Sequence, residues 1–235
     1  MIGFYNYTIV LTFLSLVSSV FGITQAIDGK FRMAIFCLAF SGLCDTFDGK
    51  VARTKKDRTD NEKLFGIQLD SMCDIVCFGA FPAAICYLLG VRHALGGIAI
   101  AYYCICSVIR LSYYNVLETN RHYGNEVGEK VYHGLPITSI AVILPLTFLL
   151  NFMIPEKIFP IVLGVMLFVV GTCFIVDFRI KRPNGVIIGA LIAIVSVAVG
   201  MIFLFSKYHI IRPPVRQEPI IEKITEDFID GDELP

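Results

Sequence analysis

Long apolar runs, each close to the length of a membrane-crossing helix, alternate with short polar connections along the 235-residue chain. A hydrocarbon core of roughly 30 Å takes about 20 helical residues to cross. On that ruler the pattern predicts spans at Tyr5 to Ala26, Phe31 to Arg53, Gly66 to Gly90, Ala94 to Leu117, Gly134 to Met153, Ile158 to Asp177 and Gly185 to Ser206. Helices are required because lipid offers backbone N–H and C=O groups no partners. The expected fold class is all-α, a polytopic transmembrane helical bundle of about seven spans over residues 1–206. The polar tail, Lys207 to Pro235, carries Pro213, Pro214 and an acidic end, the composition of an exposed, disordered segment.

Charge placement orients the bundle. Lys50, Arg53, Lys55, Lys56, Arg58 and Lys63 crowd the connection after the second span, Arg121 and Lys130 follow the fourth, and Arg179, Lys181 and Arg182 follow the sixth. The opposite connections carry only Lys30, Arg32, Arg92 and Lys157. By the positive-inside rule the first set faces the cytoplasm, within a cell membrane.

Composition adds exclusions. With 56% hydrophobic residues the chain has too much apolar surface for one water-soluble core. Its 20 basic and 20 acidic residues cancel, so nothing in the balance points to nucleic acid. Eight cysteines lie in or beside apolar runs without CxxC or zinc spacing, and read as buried thiols. No basic residue precedes the first run and no small-residue cleavage site follows it, so the first span is expected to be retained as a helix.

The acidic residues of the second and third spans carry the chemistry. Met33 to Cys44 gives only twelve uncharged residues before Asp45 and Asp48, and Ile75 to Gly90 only sixteen after Asp70 and Asp74. All four carboxylates therefore fall near the inner interface, where unpaired anions are expensive and functional. Asp45 and Asp48 stand at i, i+3 and Asp70 and Asp74 at i, i+4, so each pair shares one helical face. Two such faces meeting would repel unless cations sat between them, and hard oxygen ligands suit Mg²⁺, Mn²⁺ or Ca²⁺ in a one- or two-metal site. Gly49 and Gly66 flank the pairs and remove side chains where a substrate or a neighbouring helix approaches. Solvated acids at helix ends are the ordinary explanation for any single Asp. Four at matched spacing argue against it.

These residues, Asp45-x2-Asp48-Gly49-x2-Ala52-Arg53, twelve spacer residues, then Gly66-x3-Asp70-x3-Asp74, resemble the signature of the CDP-alcohol phosphotransferase family at eight fixed positions. The resemblance implies that Asp45, Asp48, Asp70 and Asp74 ligate divalent metal ions, two of them, with Asp74 also the general base on the acceptor hydroxyl. It implies close approach of the cytidine nucleotide at Gly49 and Ala52, and a hold on its phosphates by Arg53 and Thr59. It also implies a homodimer, for which the glycines Gly164, Gly171, Gly185 and Gly189 offer close-contact surfaces, with packing within one chain an equal alternative for them.

A narrower resemblance concerns the acceptor. Val76, Phe78-Gly79, Pro82-Ala83, Arg110-Leu111, Asn115 and Gly134-Leu135-Pro136 are similar to the bacterial phosphatidylserine synthase branch, although Ser112-Tyr113-Tyr114 stands where that branch has Ala-Arg-Phe. The expected substrates are CDP-diacylglycerol and L-serine, among membrane lipids. Arg110, Asn115 and Arg121 are the candidates for an acceptor or phosphate pocket. For Arg110, snorkelling to head groups is an equal alternative. Asn6, Thr8 and Thr12 either face the nucleotide or pack helices, and the four histidines share no face and receive no role. Two rival readings stand beside serine transfer: the same chemistry on glycerol 3-phosphate or an inositol compound, and an ion or metal transporter, which would favour carboxylates at mid-membrane.

Overall fold

The computed structural model describes residues 3–52, 54, 55, 57–122, 131–181 and 185–208, with the backbone alone at 121, 122, 131–133, 179–181 and 206–208. Arg53, Lys56, Lys130, Arg182 and the tail beyond Tyr208 lie outside the described residues.

Among the described residues seven helical rods follow one another, one for each predicted span. A 3₁₀ turn at Tyr7–Ile9 leads into α1 (Val10–Ile27), and Gly29, at φ +75°, turns the chain into α2 (Phe31–Ala52). The third rod is continuous: α3 (Asp60–Asp74), a π-helical stretch (Ile75–Ala80) and α4 (Phe81–Leu88). α5 (Ala94–His122) is the longest single helix. α6 (Ile140–Leu149) lies between 3₁₀ turns at Ile137–Ser139 and Leu150–Phe152, and α7 (Phe159–Ile175) and α8 (Gly185–Tyr208) complete the bundle. Two three-residue strands, β1 (Val131–His133) and β2 (Arg179–Lys181), pair antiparallel and tie the connection after α5 to the connection after α7.

Four rods are long and apolar enough to cross a membrane: Tyr7–Ile27, Asp60–Leu88, Ala94–Asn120 and Gly185–Phe205. α2 has the length, 22 residues, but carries Arg32, Asp45, Asp48 and Lys50. Ile137–Phe152 and Phe159–Ile175 are apolar and shorter. The chain is thus an integral membrane protein built as a polytopic helical bundle.

Two helices extend well beyond the sequence expectation. The third rod starts at Asp60 rather than Gly66, because Thr59 and Glu62 form a reciprocal capping box that nucleates the helix before the apolar run begins. α5 continues to His122 rather than ending at Leu117, since apolarity marks the thickness of the lipid and not the length of the helix.

Small and hydroxylic residues bring α1 onto α2. Ser41 donates to the Ser15 carbonyl (2.9 Å), Ser15 donates to the Ser41 carbonyl (3.2 Å), and the Ser19 and Ser41 hydroxyls meet at 2.8 Å. Each such interhelical bond stabilises modestly in lipid, about 0.6 kcal/mol on average. Gly22 faces the Phe81 ring and Cys37, and Gly42 faces Ala141, positions where a Cβ would collide. The core they close onto includes Ile35, Leu38, Phe78, Phe81, Tyr103, Ile140 and Leu144. All eight cysteines are free, six of them buried.

The π stretch has an identifiable cause. Pro82 has no N–H to offer the Phe78 carbonyl four residues earlier. The helix widens there, with the Phe81 N–H bonding the Val76 carbonyl, and the buried Tyr103 hydroxyl of α5 donates to the Phe78 carbonyl instead. The third rod is therefore re-phased immediately after Asp74.

Candidate active site

α2 supplies Asp45 and Asp48, three residues apart, and α3 supplies Asp70 and Asp74, four apart, so each helix presents one acidic face. Carboxylate oxygens of Asp45, Asp70 and Asp74 lie within 4.8 Å of one another. Asp45 is in hydrogen-bonding contact with Asp74, and Asp48 with Asp70. Asp48 is only 8% exposed. No ion pair among the described residues reaches any of the four.

Four carboxylates this close, three of them within one cation's reach, cannot all ionise without a positive partner. Their donor set, oxygen only and on two rigid helices, fits a hard divalent cation.

The surroundings sort the other candidates. Gly49 is exposed beside Asp48, and Ala52 ends α2 one turn beyond it. Gly66 sits one turn before Asp70, and the Arg58 guanidinium rests on its bare backbone: a Cβ at Gly66 would lie 2.8 Å from Arg58 Nη2. Arg58 Nη1 also donates to the Ala52 carbonyl at 3.3 Å. Arg58 entered the sequence reading only as one of a run of basic residues. Its position relative to Ala52 and Gly66 is tertiary and has no spacing signal.

Thr59 is occupied as the N-cap of α3. Its hydroxyl accepts the Glu62 N–H at 3.3 Å, and Glu62 accepts the Thr59 N–H at 2.9 Å. Glu62 also accepts from Asn6 Nδ2 at 2.9 Å, and Lys55 donates to Asn6 Oδ1 at 2.8 Å. The segment before α1 is thereby strapped to the α2–α3 connection, and both ends of the Asn6 side chain are taken. Thr8 and Thr12 are buried.

Of the acceptor candidates, Asn115 is brought to the acidic helix: the Ser71 hydroxyl, between Asp70 and Asp74, donates to Asn115 Oδ1. Arg110 is buried. It donates to the Phe174 carbonyl (3.2 Å) at the end of α7 and to the Gly134 carbonyl (3.4 Å), with the Tyr114 ring 4.4 Å from its guanidinium carbon. Gly134 is required there, since its φ is +68° and a Cβ would lie 2.9 Å from the Val176 carbonyl and 3.1 Å from Arg110 Nη1. Arg110 therefore does not snorkel; its charge faces the carbonyl end of a helix. The side chain of Arg121 lies outside the described residues.

The molecule is thus a membrane bundle whose second and third helices join their acidic faces in one oxygen-lined cluster that could hold a metal ion. Residues 5–176 match the family model for CDP-alcohol phosphatidyltransferase, and the chain belongs to that family. It is 32% identical over 110 residues to the CDP-diacylglycerol--serine O-phosphatidyltransferase of Saccharomyces cerevisiae, covering 46% of this chain and 38% of that protein. The Helicobacter pylori protein of the same name is 31% identical over 150 residues, 63% of this chain and 59% of that one. The archaetidylserine synthase of Methanothermobacter thermautotrophicus is 33% identical over 143 residues, 60% of this chain and 57% of that one. The matched stretch thus spans from under two fifths to about three fifths of these relatives' length.

Proposed function

We propose that the protein transfers a phosphatidyl group from CDP-diacylglycerol to L-serine, giving phosphatidylserine and CMP. The observation that carries this reading is the convergence of Asp45, Asp70 and Asp74, with Asp48 against Asp70, on the two helices that hold the family signature. The serine-specific names of the relatives support serine over glycerol 3-phosphate or an inositol compound as acceptor.

In this reading Asp45, Asp48, Asp70 and Asp74 hold Mg²⁺ or Mn²⁺, two ions. Bound there, divalent cations supply charge neutralisation on the diphosphate as CMP departs. Asp74 accepts the proton of the serine hydroxyl, whose oxygen bonds to the β-phosphorus while the bond from that phosphorus to the bridging oxygen breaks. CMP leaves with the bridging oxygen and its electron pair. Gly49, Ala52 and Gly66 give the nucleotide room, Arg53 and Thr59 hold its phosphates as the family resemblance implies, and Arg110, Asn115 and Arg121 are the candidates for the acceptor pocket. The rigid helix pair positions a substrate whose tails sit in lipid and whose head meets water.

Radiolabelled serine with CDP-diacylglycerol and Mn²⁺ should yield a labelled lipid, and chelation should abolish it reversibly. Asp74→Asn should lower the rate by about 10²- to 10⁴-fold, the usual worth of a general base. Label incorporation only from glycerol 3-phosphate or an inositol compound would overturn serine as acceptor. Equal activity in Asp74→Asn would remove Asp74 as base.

The site faces the cytoplasm in this reading, and the protein works as a homodimer. Crosslinking in intact membranes should trap a dimer; monomer alone at saturating crosslinker would contradict it.

A further inference from the structure

We propose that Arg58, which lies outside the family signature, binds the diphosphate of the CDP-activated substrate; this rests on the reading given under Proposed function. Ala52 follows Asp48 by four residues and Gly66 precedes Asp70 by four, so each lies about 6 Å along the helix axis from its aspartate, on the same face. Asp48 and Asp70 touch. Arg58 bridges Ala52 and Gly66, which sets its guanidinium one turn outward from the joined carboxylates, toward the end of the rods where α2 stops and α3 begins.

The donors of Arg58 are unevenly used. Nη1 bonds the Ala52 carbonyl, whereas neither the buried Nε nor Nη2 has a hydrogen-bond partner among the described residues. Nε and Nη2 form the side-on edge with which arginine grips a phosphate through two parallel bonds. A buried donor left unmade is costly, and the cost is removed when a ligand fills it. On this proposal a diphosphate reaching from the carboxylate centre outward takes this edge, the flexible side chain turning to receive it. Asp45, Asp48, Asp70 and Asp74 with their cations would take its oxygens on one side and Arg58 on the other. Gly66 acquires a second function here: its missing side chain is what lets the guanidinium lie down.

The test is binding of CDP and of Mn²⁺, separately, to purified protein in detergent. Arg58→Gln should weaken CDP binding in the presence of Mn²⁺ by tenfold or more, with Mn²⁺ binding alone unchanged or tighter. Arg58→Lys should recover part of the loss, since a point charge replaces a fork. Gly66→Ala should mimic Arg58→Gln while folding normally, because the displaced atoms are the far end of a flexible side chain. If CDP affinity is unchanged in Arg58→Gln and Gly66→Ala, the proposal is wrong. A parallel loss of Mn²⁺ binding would also overturn it, by showing that Arg58 only holds the two helices together. Absence of CDP binding to the unaltered protein would instead remove the functional reading on which the proposal stands.

Discussion

Asp48 is almost fully buried and sits against Asp70, so its charge is tolerable only if a cation answers it. Asp48→Asn keeps the shape and one acceptor oxygen while removing that charge. Even outer partners of metal ligands are worth roughly 10- to 100-fold in affinity, and a direct ligand should be worth at least as much. Mn²⁺ binding followed by electron paramagnetic resonance should weaken by that factor in Asp48→Asn; unaltered binding would mean that Asp48 serves packing and the other three hold the ion. The four acids were legible in the sequence because helical spacing alone places i, i+3 and i, i+4 residues on one face. Thr59 and Asn6 were not: hydroxyl and amide groups have many possible partners, and only the fold shows that Glu62 and Lys55 claim them.

At the scale of elements, the third rod carries Asp70 and Asp74 on α3 and the core aromatics Phe78 and Phe81 directly beyond them, with the π stretch as the joint. The Tyr103 hydroxyl is the group that satisfies the carbonyl which Pro82 leaves open. Tyr103→Phe should cost about 1 kcal/mol, the net worth of a typical hydrogen bond, or more because the carbonyl is buried. Thermal unfolding in detergent reads that loss, and a variant as stable as the original would show that the widened helix satisfies itself. All seven rods were legible as apolar runs, but their ends were not where polar residues continue the helix, as at Asp60–Phe65 and Glu118–His122. The pairing of β1 with β2 and the seating of Arg110 against α7 join segments more than forty residues apart, and no local periodicity encodes them.

At the scale of the molecule, orientation decides which compartment would supply serine and receive CMP in the proposed reaction. The rod from Asp60 to Leu88 has 29 residues, about 43 Å at 1.5 Å per residue, enough to carry its two ends to opposite faces of a bilayer. Lys63 lies at the end beside the acidic centre and Arg92 just past the other end, and both are in exposed or half-exposed positions. The basic connection around Lys55, Arg58 and Lys63 should be held inside by the positive-inside rule. Six of the eight native cysteines are buried, so a membrane-impermeant thiol reagent meets little background. In intact cells Arg92→Cys should therefore be labelled and Lys63→Cys should not, with both labelled once the membrane is opened. The reverse pattern would turn the molecule over, and would require both serine and the nucleotide head group to be handled outside the cell, where no CMP could be recovered for a further round of activation.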